Sequence, residues 1–290
     1  MRFRAVLTNP IGLYKIAQTL EKLGPSCIVC FGHDAIRFIK HREYDGGIQA
    51  WIKVQPSTLF SNYRVESTAN NEISMSIQLD YLLRATRAAQ TCNDIRIQLR
   101  RKGNKPLLDW TMVSIRNGEN IEVGQEVYVI VISPDRMRNI KEPSPFGAPD
   151  AYIMLPSLHL LRSVASRLKS LGKFLTLSAN MAGTFKMAVD TELAQCETVY
   201  RHLENPHLAG HSPPEEIDRY ASVRISTDDF VSFLNCYHLE PQNVICAITD
   251  DIQVAFYVYV NLDAHQTAGQ EDAPATRTIM TCHVPVYYED

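Results

Sequence analysis

Cys27 and Cys30 stand three apart, with His33 three residues further on. Thiolates and an imidazole at such spacing are the ligands of a zinc site, but that site needs a second pair at matching spacing, and the chain has none. The run CIVCF is apolar enough to be a buried strand carrying its two thiols on opposite faces. Three more histidines, His202, His207 and His211, crowd HLENPHLAGH, where irregular spacing in a loop suits surface residues better than ligands. Asp250-Asp251 joins two apolar runs and fits a hairpin turn better than a pair of catalytic carboxylates. Phosphate-loop, dinucleotide and nucleophile-elbow motifs are absent. These residues assign no catalytic group, metal or cofactor, and the chain is expected not to be an enzyme.

What remains is charge. In YLLRATRAAQT, residues 81–91, a helix would bury Leu82 and Leu83 beside Ala85 and Ala89, and set Arg84, Arg87 and Thr91 on one exposed stripe. A single charged stripe ordinarily faces water. Two further helices carry the same sign, however: Lys15 and Lys22 on one, and His159, Arg162 and Lys169 on the other, with Arg167 and Lys173 nearby. Only Glu21 interrupts these faces. A fourth helix, STDDFVSFLNCY, is capped by Ser226 with Asp229 and adds little positive charge. Chance segregation of charge on one helix is common, but three helices of one sign are less readily an accident.

These helices recur in a repeated plan. FRAVL leads into PIGLYKIAQTLEKLG, whose Leu13, Ile16, Leu20 and Leu23 make an apolar stripe ended by Gly24. About 150 residues later the same plan returns, and AYIML leads into PSLHLLRSVASRLKSLG, with Leu161, Val164, Leu168 and Leu171 apolar and Gly172 at the stop. Strands follow each opening: CIVCF, AIRFIKH and IQAWIKV in one half, and FLTLSAN, TFKMAVDT and LAQCETVYRHL in the other. A second helix, begun at Asp80 in the first half, and closing strands complete each half. Turns are expected at Asp45-Gly46-Gly47 and Asn117-Gly118. The fold class is α+β in two domains, 1–132 and 151–290, joined by a Pro-rich, polar linker over 133–150.

The chain has 290 residues, 45% apolar and 21% charged, with a formal net charge of −3. Gripping nucleic acid by bulk electrostatics would need a basic protein, so any DNA contact is local or topological. Seven unframed cysteines, an N-terminus without a secretory stretch, and no apolar run near the roughly 18 residues of a membrane helix predict an intracellular protein without a membrane partner. LRRKG at 99–103 is too short for a nuclear signal, so nuclear entry would need a partner.

The opening MRFRA, the segment NNEISMSIQLDYLLRATRAAQ, the linker KEPSPFGAPDAYIMLP and DTELAQCETVYRHLENPHLAG resemble, over the whole length, the sliding-clamp superfamily. Within it they resemble the Hus-type subunit family of the heterotrimeric DNA-damage checkpoint clamp. The resemblance implies a ring with two Rad-type subunits around double-stranded DNA, in the nucleus. It also implies an ATP-dependent clamp loader, and docked repair and checkpoint proteins. The helices would line the hole, with Lys15, Lys22, Arg84, Arg87, His159, Arg162, Arg167, Lys169 and Lys173 facing DNA. Subunits would pair through edge strands at Val127, Tyr128, Val129, Ile130 and Val131, and at Gln195, Glu197, Val199 and Tyr200. In such clamps the linker flanks a docking pocket, and here Met137, Ile140 and Phe146 lie among Arg136, Arg138 and Lys141. The residues alone leave open a homotrimeric replication clamp, or an enzyme on a duplicated α+β fold.

Overall fold

A computed structural model of the protein describes residues 1–41, 47–116, 119–144, 147–206, 216–262 and 278–288. The chain divides into two compact units. The first comprises Met1–His41, Trp51–Lys141 and Asn261–Ile279; the second comprises Arg42–Ala50, Glu142–Val260 and Met280–Asp290. The linker is thus divided, its first part through Lys141 belonging to the first unit. The expected turns at 45–46 and 117–118, with His207, His211 and Phe146, lie outside the described residues. No helix among those described is long and apolar enough to cross a membrane.

In the first unit the chain runs β1 (Arg2–Leu7), α1 (Pro10–Glu21), β2 (Ser26–Phe31), β3 (Ile36–Lys40), β4 (Gln49–Val54), α2 (Pro56–Leu59), β5 (Phe60–Glu66), β6 (Ile73–Gln78), α3 (Leu79–Ala89), β7 (Asp94–Lys102), β8 (Lys105–Arg116), β9 (Glu119–Ile132) and α4 (Pro134–Arg138). The strands are ordered β4-β3-β2-β6-β9-β8-β7-β1-β5. Alternation along β1 turns Phe3, Ala5 and Leu7 into the core and leaves Arg2 and Arg4 in solvent. Asn9 starts α1: its Oδ1 accepts from the Gly12 N–H at 2.8 Å, and its buried Nδ2 donates to the Leu262 carbonyl at 2.6 Å. Proline at the first helical position suits a site whose N–H has no helical partner. Helix α3 begins at Leu79, one residue before the expected Asp80, and packs against α1. Its buried face is Leu79, Leu82, Ala85, Thr86 and Ala89, and the alanines allow close approach.

The second unit contains β10 (Ala151–Met154), α5 (Leu158–Leu168), β11 (Phe174–Ala179), β12 (Phe185–Asp190), β13 (Gln195–Tyr200), β14 (Ala221–Ser226), α6 (Thr227–Leu234), a 3₁₀ turn (Asn235–Leu239), β15 (Asn243–Thr249), β16 (Gln253–Val260) and β17 (Thr278–Val284). Two sheets result, β10-β15-β16-β17 and β13-β12-β11-β14. The Ser226 side chain accepts from the Asp229 N–H at 3.4 Å, the expected cap of α6. Phe230 and Phe233 of α6 meet Phe256 of β16, the Phe233 and Phe256 rings stacking at 4.1 Å. Helix α5 ends at Leu168, so Lys173 lies beyond it. Its buried stripe is Leu158, Leu161, Ala165 and Leu168, whereas Leu171, expected inside, is 47% exposed because the helix has already stopped.

Candidate nucleic-acid interface

Each unit presents a helix pair with an outward polar face. In the first, Arg84 and Arg87 are exposed on α3, opposite its buried alanines, and exposed Lys22 caps α1 with half-buried Lys15 one face round. The Arg84 guanidinium is held by Asp80 one turn earlier: its Nε donates to Oδ1 at 3.1 Å and an Nη lies 2.8 Å from Oδ2. Arg87 sits 5.9 Å over the Tyr14 ring of α1, a cation–π contact that aims the charge without neutralising it. Lys22 pairs with Glu21 at 2.9 Å.

In the second unit Arg167 and His159 are exposed on α5. His159 stacks on Tyr237 of the 3₁₀ turn at 4.6 Å, and the Arg162 guanidinium lies 5.3 Å from the same ring. Arg162 is half-buried, and its Nε has no hydrogen-bond partner among the described residues. Lys169 pairs with Asp228 of α6 at 2.5 Å. Burial, and then neighbouring Asp228, raise the Asp229 carboxyl above its usual range. Lys173 lies 5.5 Å over the Phe174 ring.

All nine expected cations thus lie on or beside the helix faces, and Lys22, Arg84 and Lys169 among them hold ion pairs within the chain. Asp80 was the missed residue on α3, although its spacing from Arg84 signals an i,i+4 pair. The stacking of Arg162 on Tyr237 joins residues 75 positions apart, and no local pattern reports it. Exposed ion pairs of this kind contribute little to stability and exchange readily for phosphate. Together the two faces offer several guanidinium and ammonium groups without a base-reading element, which suits sequence-independent phosphate contact.

The strand edges divide differently from expectation. β9 is interior in the strand order: residues 119–128 pair with β8, and 129–132 pair with β6. Val127 and Val129 are buried in their own core, so their side chains are not available at an edge, while Tyr128 and Ile130 are 47% and 66% exposed. Val131 is half-buried. Over each stretch β9 has one partner strand, so backbone pairing with a neighbour would use the opposite side. β13 pairs with β12 alone among the described strands, and Gln195 and Glu197 are exposed on it, with Val199 and Tyr200 half-buried. At the sheet's far side Val286 bridges to Ile225 of β14, leaving β13 as the open edge.

Met137 and Ile140 do not project as anchors. They pack on Cys30, Ile39 and Trp51, covering an apolar cluster on their own unit. Cys27 and Cys30 are both buried, and burial pushes the Cys27 thiol up to about 12. His33 is exposed and pairs with Asp34 at 2.8 Å. Among the described residues no three His, Cys, Asp or Glu side chains converge as a metal site.

The family model described as Hus1-like protein matches residues 1–287. "Checkpoint protein hus1" of Schizosaccharomyces pombe is 30% identical over 272 residues, covering 90% of this chain and 93% of that protein. "Checkpoint protein HUS1" of Homo sapiens is 27% identical over 266 residues, covering 88% and 94%. Among solved structures, the chain is similar to proliferating cellular nuclear antigen of Entamoeba histolytica, with a TM-score of 0.69 at 10% identity and 99% of each chain covered. It is also similar to the PCNA of Thermococcus kodakaraensis, with a TM-score of 0.67 at 14% identity, covering 98% of this chain and 100% of that one.

Proposed function

The chain belongs to the Hus1-like family and has the sliding-clamp fold, and from that premise we propose that it is a non-catalytic subunit of a checkpoint clamp that encircles double-stranded DNA in the nucleus. The observation that carries this reading is the basic outward face of α1, α3 and α5, set on a chain of net charge −3. A ring is retained by topology, so its inner side chains need only weak phosphate contacts that allow sliding. The internal pairs at Arg84, Lys169 and Lys22 suit that requirement, because they moderate the attraction without removing it. Two different clamp-type subunits complete the ring, one neighbour adding to the open edge of β13 and the other to β9, whose exposed Tyr128 and Ile130 offer an apolar contact. An ATP-driven loader opens the ring on DNA. Repair and checkpoint proteins dock on its outer surface, and the packed linker residues Met137 and Ile140 make the linker a support for that surface.

Assembly tests this reading. On a calibrated mass measurement the purified chain is expected not to form a stable homotrimer, and to join two other clamp-type subunits one-to-one-to-one. A stable homotrimer of the chain alone would favour a replication clamp instead.

A further inference from the structure

The solvent face of β5-β1-β7 in the first unit carries five arginines, with Lys102 at its far end. Arg2 and Arg4 project from β1, Arg64 from β5, and Arg96 and Arg100 from β7, all exposed; Arg100 is held by Asp109 at 3.0 Å and Lys102 by Glu126 at 2.9 Å. The register sets Arg4 directly opposite Arg64, and Val6 opposite Arg96. Like charges directly opposed across a strand pair destabilise a sheet, so stability does not explain this arrangement. Two acids stand at the margins: Glu66 takes Arg64 at 2.6 Å, and Asp94 takes Arg96 at 2.6 Å. Arg2 and Arg4, between them, form no ion pair among the described residues. A depression of about 620 Å³ opens here, lined by Arg4, Arg64, Arg96, Tyr63 and Gln98 among others. A second, of about 250 Å³, extends it towards Arg2 and Glu66. Protection of a sheet edge by charge accounts for Arg64 on the terminal strand β5. It does not account for Arg4 and Arg96, whose strands have neighbours on both sides.

We propose that this face docks a short acidic segment of a partner protein in extended conformation, its carboxylates received by Arg2, Arg4 and Arg64. Three observations select that occupant. Alternate residues of an extended peptide lie about 6.6 Å apart, the same interval that separates Arg2 from Arg4 along β1. Arginine forks bind planar carboxylates through two hydrogen bonds, which lysine does not do. The patch is also short, about 13 Å from Arg2 to the level of Arg96. Glu66 and Asp94 stand at its margins, and the cations beyond Arg2, namely Arg100 and Lys102, are already paired with Asp109 and Glu126. Past both ends the charge is thus met within the chain, which offers a continuous polyanion little and leaves room for two or three carboxylates between. The surface lies on strands, apart from the helix faces assigned to DNA, and the inference does not rest on that assignment.

The test is fluorescence anisotropy with the full chain and a labelled peptide in which aspartate and glutamate alternate with valine. The wild-type chain is expected to bind it, and to ignore the same peptide with asparagine and glutamine. Arg4→Gln with Arg64→Gln should weaken binding roughly tenfold or more, whereas Arg101→Gln, outside the depression, should change it less than about twofold. The thermal midpoint of the double variant should not fall, since the opposed charges are relieved. No binding by the wild type at about 1 mM peptide, or binding indifferent to the double substitution, would overturn the proposal. So would an oligothymidylate that binds more tightly than the peptide and loses the same factor in the variant, which would make the patch a nucleic-acid site.

Discussion

Reversing Arg84 and Arg87 to glutamate lowers the affinity of the assembled ring for duplex DNA by roughly 10- to 60-fold at about 0.1 M salt. The upper figure follows from counterion release: each phosphate contact contributes about 0.9 log units at that salt, and two contacts are lost. The lower figure allows for the ion pair that Arg84 already makes with Asp80, which part of its phosphate contact must replace. The slope of log affinity against log salt should flatten by up to about 1.8. Sequence preference should not change, because no base edge is read. Folding pays a small amount. The reversal places a like charge one turn from Asp80, costing about 0.2–0.5 kcal/mol, and a negative charge in the last turn of α3 costs a similar amount against the helix dipole. Arg84→Gln with Arg87→Gln avoids both effects and should retain most of the affinity loss. The matched control reverses Arg101 and Lys105, exposed at the turn between β7 and β8. Equal losses in control and helix variants would make the stripe an ordinary solvated face.

Phe256→Ala acts on the other unit and on stability first. The side chain is fully buried, and its ring joins the sheet strand β16 to both phenylalanines of α6. Truncation removes that burial and leaves a cavity between helix and sheet, at a cost of about 3–5 kcal/mol. Domain stabilities are about 5–15 kcal/mol, so the loss is a large share of the whole. At about 2–4 °C per kcal/mol the thermal midpoint of this unit should fall by roughly 6–20 °C. Because α5 packs on α6, the Arg162, Arg167 and Lys169 face loosens with it. Leu160→Ala, at a side chain 61% exposed on α5, should shift the midpoint by no more than a degree or two, about the effect of a surface change. A Phe256→Ala protein melting with the wild type would contradict the aromatic cluster as the tie between α6 and its sheet.

How much of this was legible in the residues depended on burial. NVICAIT became β15 at its own boundaries, since five of its seven residues are buried and the apolar run reports them directly. β9 starts seven residues before the apolar run EVYVIVI, because ENIEVGQ is exposed almost throughout and is held by pairing with β8 rather than by a buried face. β5, FSNYRVE, escaped notice for the same reason: it is a terminal strand with few apolar residues. The basic stripes were legible because helix periodicity separates buried alanines from exposed arginines within one short window. Their pairing was only partly so. Asp80 and Arg84 lie on one helix, but Lys169 meets Asp228 and Arg162 meets Tyr237 only through the packing of α5 on the segment 227–239. The expected anchors Met137 and Ile140 are a different case. An apolar residue among charges in a linker is equally suited to receive a partner or to cover its own domain, and the packing of Met137 and Ile140 on buried Cys30, Ile39 and Trp51 is a tertiary contact that no local pattern reports.

Encirclement is tested most directly by retention on DNA without ends. The chain, assembled with two other clamp-type subunits, is loaded by an ATP-driven loader onto closed circular DNA and onto the same DNA linearised, and both are washed at about 0.5 M salt, where phosphate contacts alone are weak. The ring should stay on the circle through the wash and leave when the circle is cut. Equal loss from circle and line, or equal retention on both, would mean that the chain holds DNA by adhesion, and the clamp reading would fall.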